Sequence, residues 1–188
     1  MVKQLTSYAA IVLFLTLLGV SSRAGLQQSR ERLDQIERDL WADVPHLVCI
    51  DDNIATAAQP GEGAYIKLAA VGFRTVLSLR TSSEGIDQAK ERTLVERAGL
   101  IYVNIPVASS DPKPEQAAAF LAAVRNRANY PMLIHCGSGS RVGGFWMIYR
   151  VLEQGWPEDK ALEEATRIGL SSPVIKKFAM DYISSHRP

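Results

Sequence analysis

Residues 131–154 constrain this chain more than any other segment. Pro131–His135 (PMLIH) is a short apolar run, Cys136–Arg141 (CGSGSR) is built mainly of small residues, and an apolar stretch of helical period continues to Gln154. A buried strand, a tight loop and a helix in that order make half of a strand–helix–strand unit. The rest of the chain repeats the alternation. Strands are predicted over 47–50, 54–57, 74–79, 101–107 and 131–135. Helices are predicted over 61–71, 87–98, 115–128, 143–154, 157–167 and 174–184. Such alternation predicts an α/β fold with a central, mostly parallel sheet flanked by helices. Ligands of these sheets bind beyond the carboxyl ends of the strands, and Cys136 falls at such an end.

With 188 residues and 47% hydrophobic side chains, the chain has material for one well-buried core. Pro and Gly occur as single breakers, which favours one compact domain over 42–188. Lys plus Arg number 21 against 20 for Asp plus Glu, so there is no chain-wide basic footprint for nucleic acid. Two cysteines, Cys49 and Cys136, exclude a disulfide scaffold and a cysteine-rich zinc site. Asp51-Asp52-Asn53 reads as an acidic turn, and His46 and His186 have no ligand-like companions. No metal or cofactor is expected.

Residues 1–24 read as targeting. Lys3 precedes an uncharged apolar run, Tyr8–Val20, and Ser22-Arg23-Ala24 offers a small-x-Ala cleavage site. The run is short for a bilayer span, which needs about 20 apolar residues, so an exported, periplasmic or secreted protein is expected. A membrane anchor over residues 8–20 is the alternative. Residues 25–41 carry Leu33, Ile36 and Leu40 at helical spacing and predict a lead-in helix.

The Cys136 loop carries the chemistry. A Gly/Ser turn between a strand and a helix lets successive backbone N–H groups converge on one anion, and the helix adds its positive end. Gly137, Ser138, Gly139 and Ser140 would form that cradle. Arg141 can close it with a two-pronged grip on two oxygens. The same dipoles favour the thiolate of Cys136 beneath the anion. A lone strand-end cysteine would be inert, but here a His-Cys pair, two glycines, an arginine and a helix coincide. Phe145, Trp146 and Tyr149 follow at helical spacing and read as core. Cys49 reads as a buried strand residue, with redox pairing to Cys136 as the alternative.

HCGSGSR resembles the signature loop of the protein tyrosine and dual-specificity phosphatase superfamily. Gln59-Pro60, LAAVGFRTVLSLR (68–80) and AGLIYVNIPV (98–107) resemble the run-up in compact members, and YRVLEQGWPEDKALEEATRIGL (149–170) resembles their helical tail. Within the superfamily the chain looks like the bacterial beta-lactamase-hydrolase-like phosphatases. The resemblance implies a three-layer cysteine-phosphatase sandwich. It implies Cys136 as nucleophile through a phosphocysteine, Arg141 as phosphoryl clamp and His135 as a support for loop and thiolate; an ordinary buried histidine is the alternative. It also implies a general-acid aspartate in the loop after the strand preceding the signature strand. Asp111 is the sole carboxylate of Ala108–Pro114; helix capping or plain solvation is its alternative. Two departures stand out. Four residues separate Cys136 from Arg141 where the wider superfamily has five, a shortening the bacterial group shares. Val142 stands where most members place Ser or Thr.

The expected activity is hydrolysis of phosphomonoesters, either phosphorylated proteins or small molecules, by a monomer that touches a membrane only if residues 8–20 remain. The shortened loop keeps a rhodanese-like sulfurtransferase open, and Val142 keeps open a phosphoanion-binding module with weak turnover. With no lysine in the loop, the tilt is toward phosphotyrosine and simple monoesters.

Overall fold

The computed structural model describes residues 25–187. The apolar run at 8–20 and the cleavage site after Ala24 lie outside them, and no described helix is long and apolar enough to cross a membrane. Helix α1 covers 25–40. Then follow β1 (Val48–Cys49), β2 (Ile54–Ala57), α2 (Ala64–Ala70), β3 (Thr75–Ser78), α3 (Gln88–Arg97), β4 (Ile101–Asn104), α4 (Pro114–Arg125), β5 (Met132–His135), α5 (Ser140–Gln154), α6 (Glu158–Ile168) and α7 (Pro173–His186). The sheet runs β1-β2-β5-β3-β4; only β1 is antiparallel to its neighbour.

Alternation along the strands sorts side chains to two faces. Leu77, Met132 and Ile134 face a core with Phe120, Phe145 and Trp146 of α4 and α5. Val76 and Leu133 face the other core, with Leu33 and Leu40 of α1, Leu68 of α2 and Val95 of α3. That makes three layers. Cys136 belongs to the first core and Cys49 to the second. Both are free thiols, and burial, then Glu37, pushes Cys49 up to about 12. Cys49 is thus an inert strand residue.

Several elements are shorter than their periodicity predicts. The predicted strand over 101–107 ends at Asn104, two residues before Pro106, which has no N–H to donate to a ladder. The helix predicted over 115–128 gives way after Arg125 to a 3-10 turn, Arg127–Asn129. In contrast α5 begins three residues before the predicted Gly143, at Ser140. Ser140 and Arg141 therefore belong to its first turn. Val142 to Arg150 of α5 are buried on every side, as in a helix packed between layers. The register aligns the carboxyl ends: Ala57 and Ser78 both pair with His135, and Ser78 with Asn104. Gln59, Arg80, Val107 and Cys136 consequently leave the sheet side by side.

Candidate active site

Cys136 leaves β5 with 1% of its surface exposed. Its sulfur accepts the Gly139 N–H at 3.1 Å. Gly139 caps α5 with φ of +91°, a conformation that side chains rarely adopt. A Cβ there would also stand 2.4 Å from the Ile168 carbonyl oxygen, so the turn is shaped by glycine twice over. Gly137 and Ser138 form the exposed lip of the loop, whereas Gly139 and Ser140 are buried. The Ser140 hydroxyl accepts the N–H groups of Ser171 and Ser172 at 3.1 and 3.0 Å. It therefore ties the loop to the α6–α7 junction, while its backbone stands at the positive end of α5.

Arg141 is 4% exposed. Its Nη1 donates to the carbonyls of Leu79 (3.0 Å) and Val107 (2.8 Å), so it bridges the segments that follow β3 and β4. Nη1 and Nη2 also grip the two oxygens of Glu84 at 2.6 and 2.7 Å. Burial would lower the Arg141 pKa, but Glu84 and then the Cys136 sulfur hold it above the ordinary value. Glu84 closes a 3-10 turn, Ser82–Glu84, in which its carboxylate accepts the Thr81 N–H at 2.8 Å. Burial raises its pKa, yet the bonds from Arg141 and Thr81 prevail and hold it at about 2. Arg80 approaches the same carboxylate, with Nε 2.6 Å from Oε2, and its Nη1 donates to Gln59 Oε1 at 2.9 Å.

His135 is fully buried, and neither ring nitrogen makes a hydrogen bond. Burial lowers its pKa despite Glu91, whose Oε1 lies 3.5 Å from Nε2. Glu91 accepts from Gln59 (2.6 Å), Tyr65 (2.9 Å) and Tyr102 (2.8 Å). Burial raises the Glu91 pKa, yet His135 and then these donors hold it below the ordinary carboxylate value. A cavity of about 340 Å³ adjoins the loop through Gln59, whose backbone N–H reaches the Gly137 carbonyl at 3.4 Å; Pro60, Tyr65, Ile86 and Leu94 also line it.

Asp111 lies on the exposed loop four residues beyond Val107, its carboxylate paired with Lys113 Nζ at 2.6 Å. It does not cap α4; the Gln116 side chain does that, accepting the Lys113 N–H at 2.8 Å. Val142 is completely buried in the core beneath the loop. Among the described residues no group of three or more His, Cys, Asp or Glu is placed to hold a metal. Sequence reasoning missed Arg80, Glu84 and Glu91. The carboxyl-end rule that singled out Cys136 applies equally to β3, and Thr81-x-x-Glu84 is the spacing of a capping box; both signals point at the turn that holds Arg141.

The family model "Beta-lactamase hydrolase-like protein, phosphatase-like domain" matches residues 46–153, more than half of the chain. The chain belongs to this family. A Beta-lactamase hydrolase-like protein of Xylella fastidiosa (strain Temecula1 / ATCC 700964) is 27% identical over 117 residues, covering 61% of this chain and 27% of the relative. This member of the family thus matches about a quarter of that relative's length. Among solved structures, a DUF442 protein of Shewanella putrefaciens CN-32 superposes with a TM-score of 0.67 at 24% identity, covering 80% of this chain and 99% of the other. P. aeruginosa TpbA in complex with pTyr superposes with a TM-score of 0.56 at 24% identity, covering 73% and 82%. These likenesses establish the cysteine-phosphatase fold.

Proposed function

We propose that this chain is a cysteine-dependent phosphatase that hydrolyses phosphomonoesters through a phosphocysteine intermediate. The observation that carries the reading is the Gly139 N–H aimed at the Cys136 sulfur at the head of α5, because a donor there stabilises a thiolate. The thiolate attacks phosphorus; the S–P bond forms as the bond to the leaving oxygen breaks. A proton from Asp111 neutralises that oxygen. Water, giving a proton back to the Asp111 carboxylate, then displaces the sulfur: the O–P bond forms as the S–P bond breaks, releasing phosphate and restoring the thiolate. Arg141 stabilises the charge on the phosphoryl oxygens. With Nη1 taken up by Leu79, Val107 and Glu84 and one Nη2 hydrogen by Glu84, it offers the Nε hydrogen and the one remaining Nη2 hydrogen. His135 is buried at the end of β5 and its ring makes no hydrogen bond to the loop or the thiol, which favours the ordinary buried histidine over the expected hydrogen-bonded support.

The pTyr complex of TpbA makes an aryl phosphate the natural first probe. With residues 1–24 read as an export signal, the substrate is a phosphorylated protein or small phosphomonoester outside the cytoplasm. A second reading has one observation of its own: the four-residue spacing from Cys136 to Arg141, which also suits a persulfide-carrying sulfurtransferase. Phosphate release from an aryl phosphate and sulfur transfer from thiosulfate to cyanide, measured side by side, separate the two. Phosphate release that Cys136→Ser abolishes is the expected result. Sulfur transfer without phosphate release would overturn the phosphatase reading.

A further inference from the structure

Two backbone carbonyls of the Cys136 loop are held from outside it, by different parts of the fold. The Ser138 carbonyl packs against Gly169 at the α6–α7 junction, where a Cβ would stand 2.9 Å from its oxygen. In a trans peptide the C=O and the N–H that follows it point opposite ways. The Gly139 N–H is therefore turned inward, and it meets the Cys136 sulfur at 3.1 Å. The preceding peptide repeats the arrangement. The Gly137 carbonyl accepts the backbone N–H of Gln59 at 3.4 Å, which turns the Ser138 N–H away from Gln59 and toward the inside of the loop. Gly137 and Ser138 are exposed, and a glycine leaves its backbone many conformations. The orientation of this peptide thus depends on a hold from elsewhere in the fold.

Gln59 is itself gripped from two sides. Its Oε1 accepts Arg80 Nη1 at 2.9 Å, and its Nε2 donates to Glu91 Oε1 at 2.6 Å. An arginine only donates and a carboxylate only accepts, so the amide has one orientation. Both partners are buried and come from different elements: Arg80 follows β3, and Glu91 lies on α3. Glu91 is fixed in turn by the hydroxyls of Tyr65 on α2 and Tyr102 on β4, at 2.9 and 2.8 Å. One buried carboxylate thus ties α2, α3 and β4 to the residue that touches the Cys136 loop. Hydrogen bonds to ionised partners are among the strong ones. They fix the half-buried Gln59 more firmly than its own burial would.

We propose that Gln59 is a positioning residue of the phosphatase site: it holds the Gly137–Ser138 peptide so that the Ser138 N–H faces the phosphoryl oxygens, and Glu91 holds Gln59. The proposal rests on the phosphoryl-transfer reading of Cys136 and names what sets the cradle.

The test uses the full chain and the hydrolysis of p-nitrophenyl phosphate. Gln59→Met keeps the backbone N–H and the side-chain length but loses both amide bonds, and Glu91→Gln removes the carboxylate that orients the amide. A donor to the transferring oxygens counts most in the transition state, and losing one outright costs about 10²–10³ in kcat. Each variant loosens the donor without removing it, so kcat should fall about tenfold to a hundredfold with KM moving far less. Because Glu91 acts through Gln59, the double variant should fall no further than the lower single one. Additive losses overturn the route through Glu91. A role in stability alone lowers the thermal midpoint and leaves kcat of the folded protein unchanged; that result for Gln59→Met overturns the proposal while the phosphatase reading stands. A second measurement needs no change at Gln59 or Glu91. In the full chain carrying Cys136→Ser, titration with inorganic phosphate should move the Ser138 amide proton resonance downfield as the anion binds. Phosphate that binds while this resonance stays in place overturns the proposal. A chain that neither hydrolyses the ester nor, as Cys136→Ser, binds phosphate overturns both the proposal and the reading on which it rests.

Discussion

Glu84 spends one carboxylate on two arginines, and that economy decides how the loop responds to substitution. Arg141→Lys keeps a charge but loses the planar fork that spans Glu84 and the carbonyls of Leu79 and Val107. A fall in kcat/KM of about 10²-fold or more is expected, the scale of losing an oxyanion donor; near-native efficiency would mean that Arg141 is no clamp. Cys136→Ser should abolish phosphate release and preserve anion binding, since the cradle is made of backbone and Arg141. Retained turnover would end the covalent mechanism. Asp111 poses a sharper question, because its carboxylate is exposed and caps nothing. As general acid it should matter by about 10²–10⁴-fold for phosphotyrosine, whose oxygen leaves poorly, and far less for a nitrophenyl ester. Its pairing with Lys113 is exposed and adds little stability. Kinetics of Asp111→Asn on both substrates decide: equal, small losses remove it from the reaction.

At the scale of the element, α5 is the part on which everything else is hung. Its Gly143 and Gly144 let α6 and α7 approach closely: a Cβ would stand 2.6 Å from the Ala165 carbonyl oxygen or 2.4 Å from Ile175 Cγ2. Trp146 and Arg150 of the same helix both donate to Glu164 of α6, at 2.7 and 2.6 Å. Gly144→Ala must displace a buried isoleucine, and overpacking of this kind costs about 1–3 kcal/mol. The expected outcome is a lower denaturation midpoint with the site chemistry unchanged in kind. Gly139→Ala is expected to do more. It adds backbone strain and a clash with Ile168 O directly at the cysteine, so activity should fall further than stability. Thermal melts and kcat/KM on the two variants distinguish a packing glycine from a cradle glycine.

For the molecule as a whole, the cluster around Arg141 couples folding to pH. Glu84 takes its proton near 4.5 in the unfolded chain but near 2 when folded, so the unfolded state binds more protons between these values. Stability from this group is complete above that window and is lost as pH falls through it, with a slope of up to about 1.4 kcal/mol per pH unit. Glu84→Gln should be less stable at neutral pH, because two buried guanidiniums lose their counter-charge, and its stability should fall less steeply between pH 4.5 and 2. Parallel curves from urea unfolding across that range would exclude Glu84 as the linked group.

What the amino-acid sequence determined by itself was whatever depends on local order along the chain. Strand–helix alternation placed the five strands, and the Gly/Ser turn after PMLIH marked Cys136 and Arg141, because hydrophobic period and turn chemistry are written in neighbouring residues. Element ends were less legible: the pattern put the start of α5 at Gly143, but the helix begins at Ser140, since a loop that forms the first helical turn carries no apolar period. The partners of the loop were legible only in part: the carboxyl end of β3 and the Thr81-x-x-Glu84 spacing point at the turn that holds Arg141, but nothing local pairs that turn with Cys136. Arg80, Glu84, Gln59 and Glu91 lie tens of residues from Cys136 and reach it only because parallel pairing sets Ala57, Ser78 and His135 level across three strands. Each of these four polar residues could equally have sat at an exposed surface. Only the tertiary structure decided that one carboxylate would be shared by two buried arginines, because burial removes water and leaves each charge to be answered by whatever side chain the fold brings beside it.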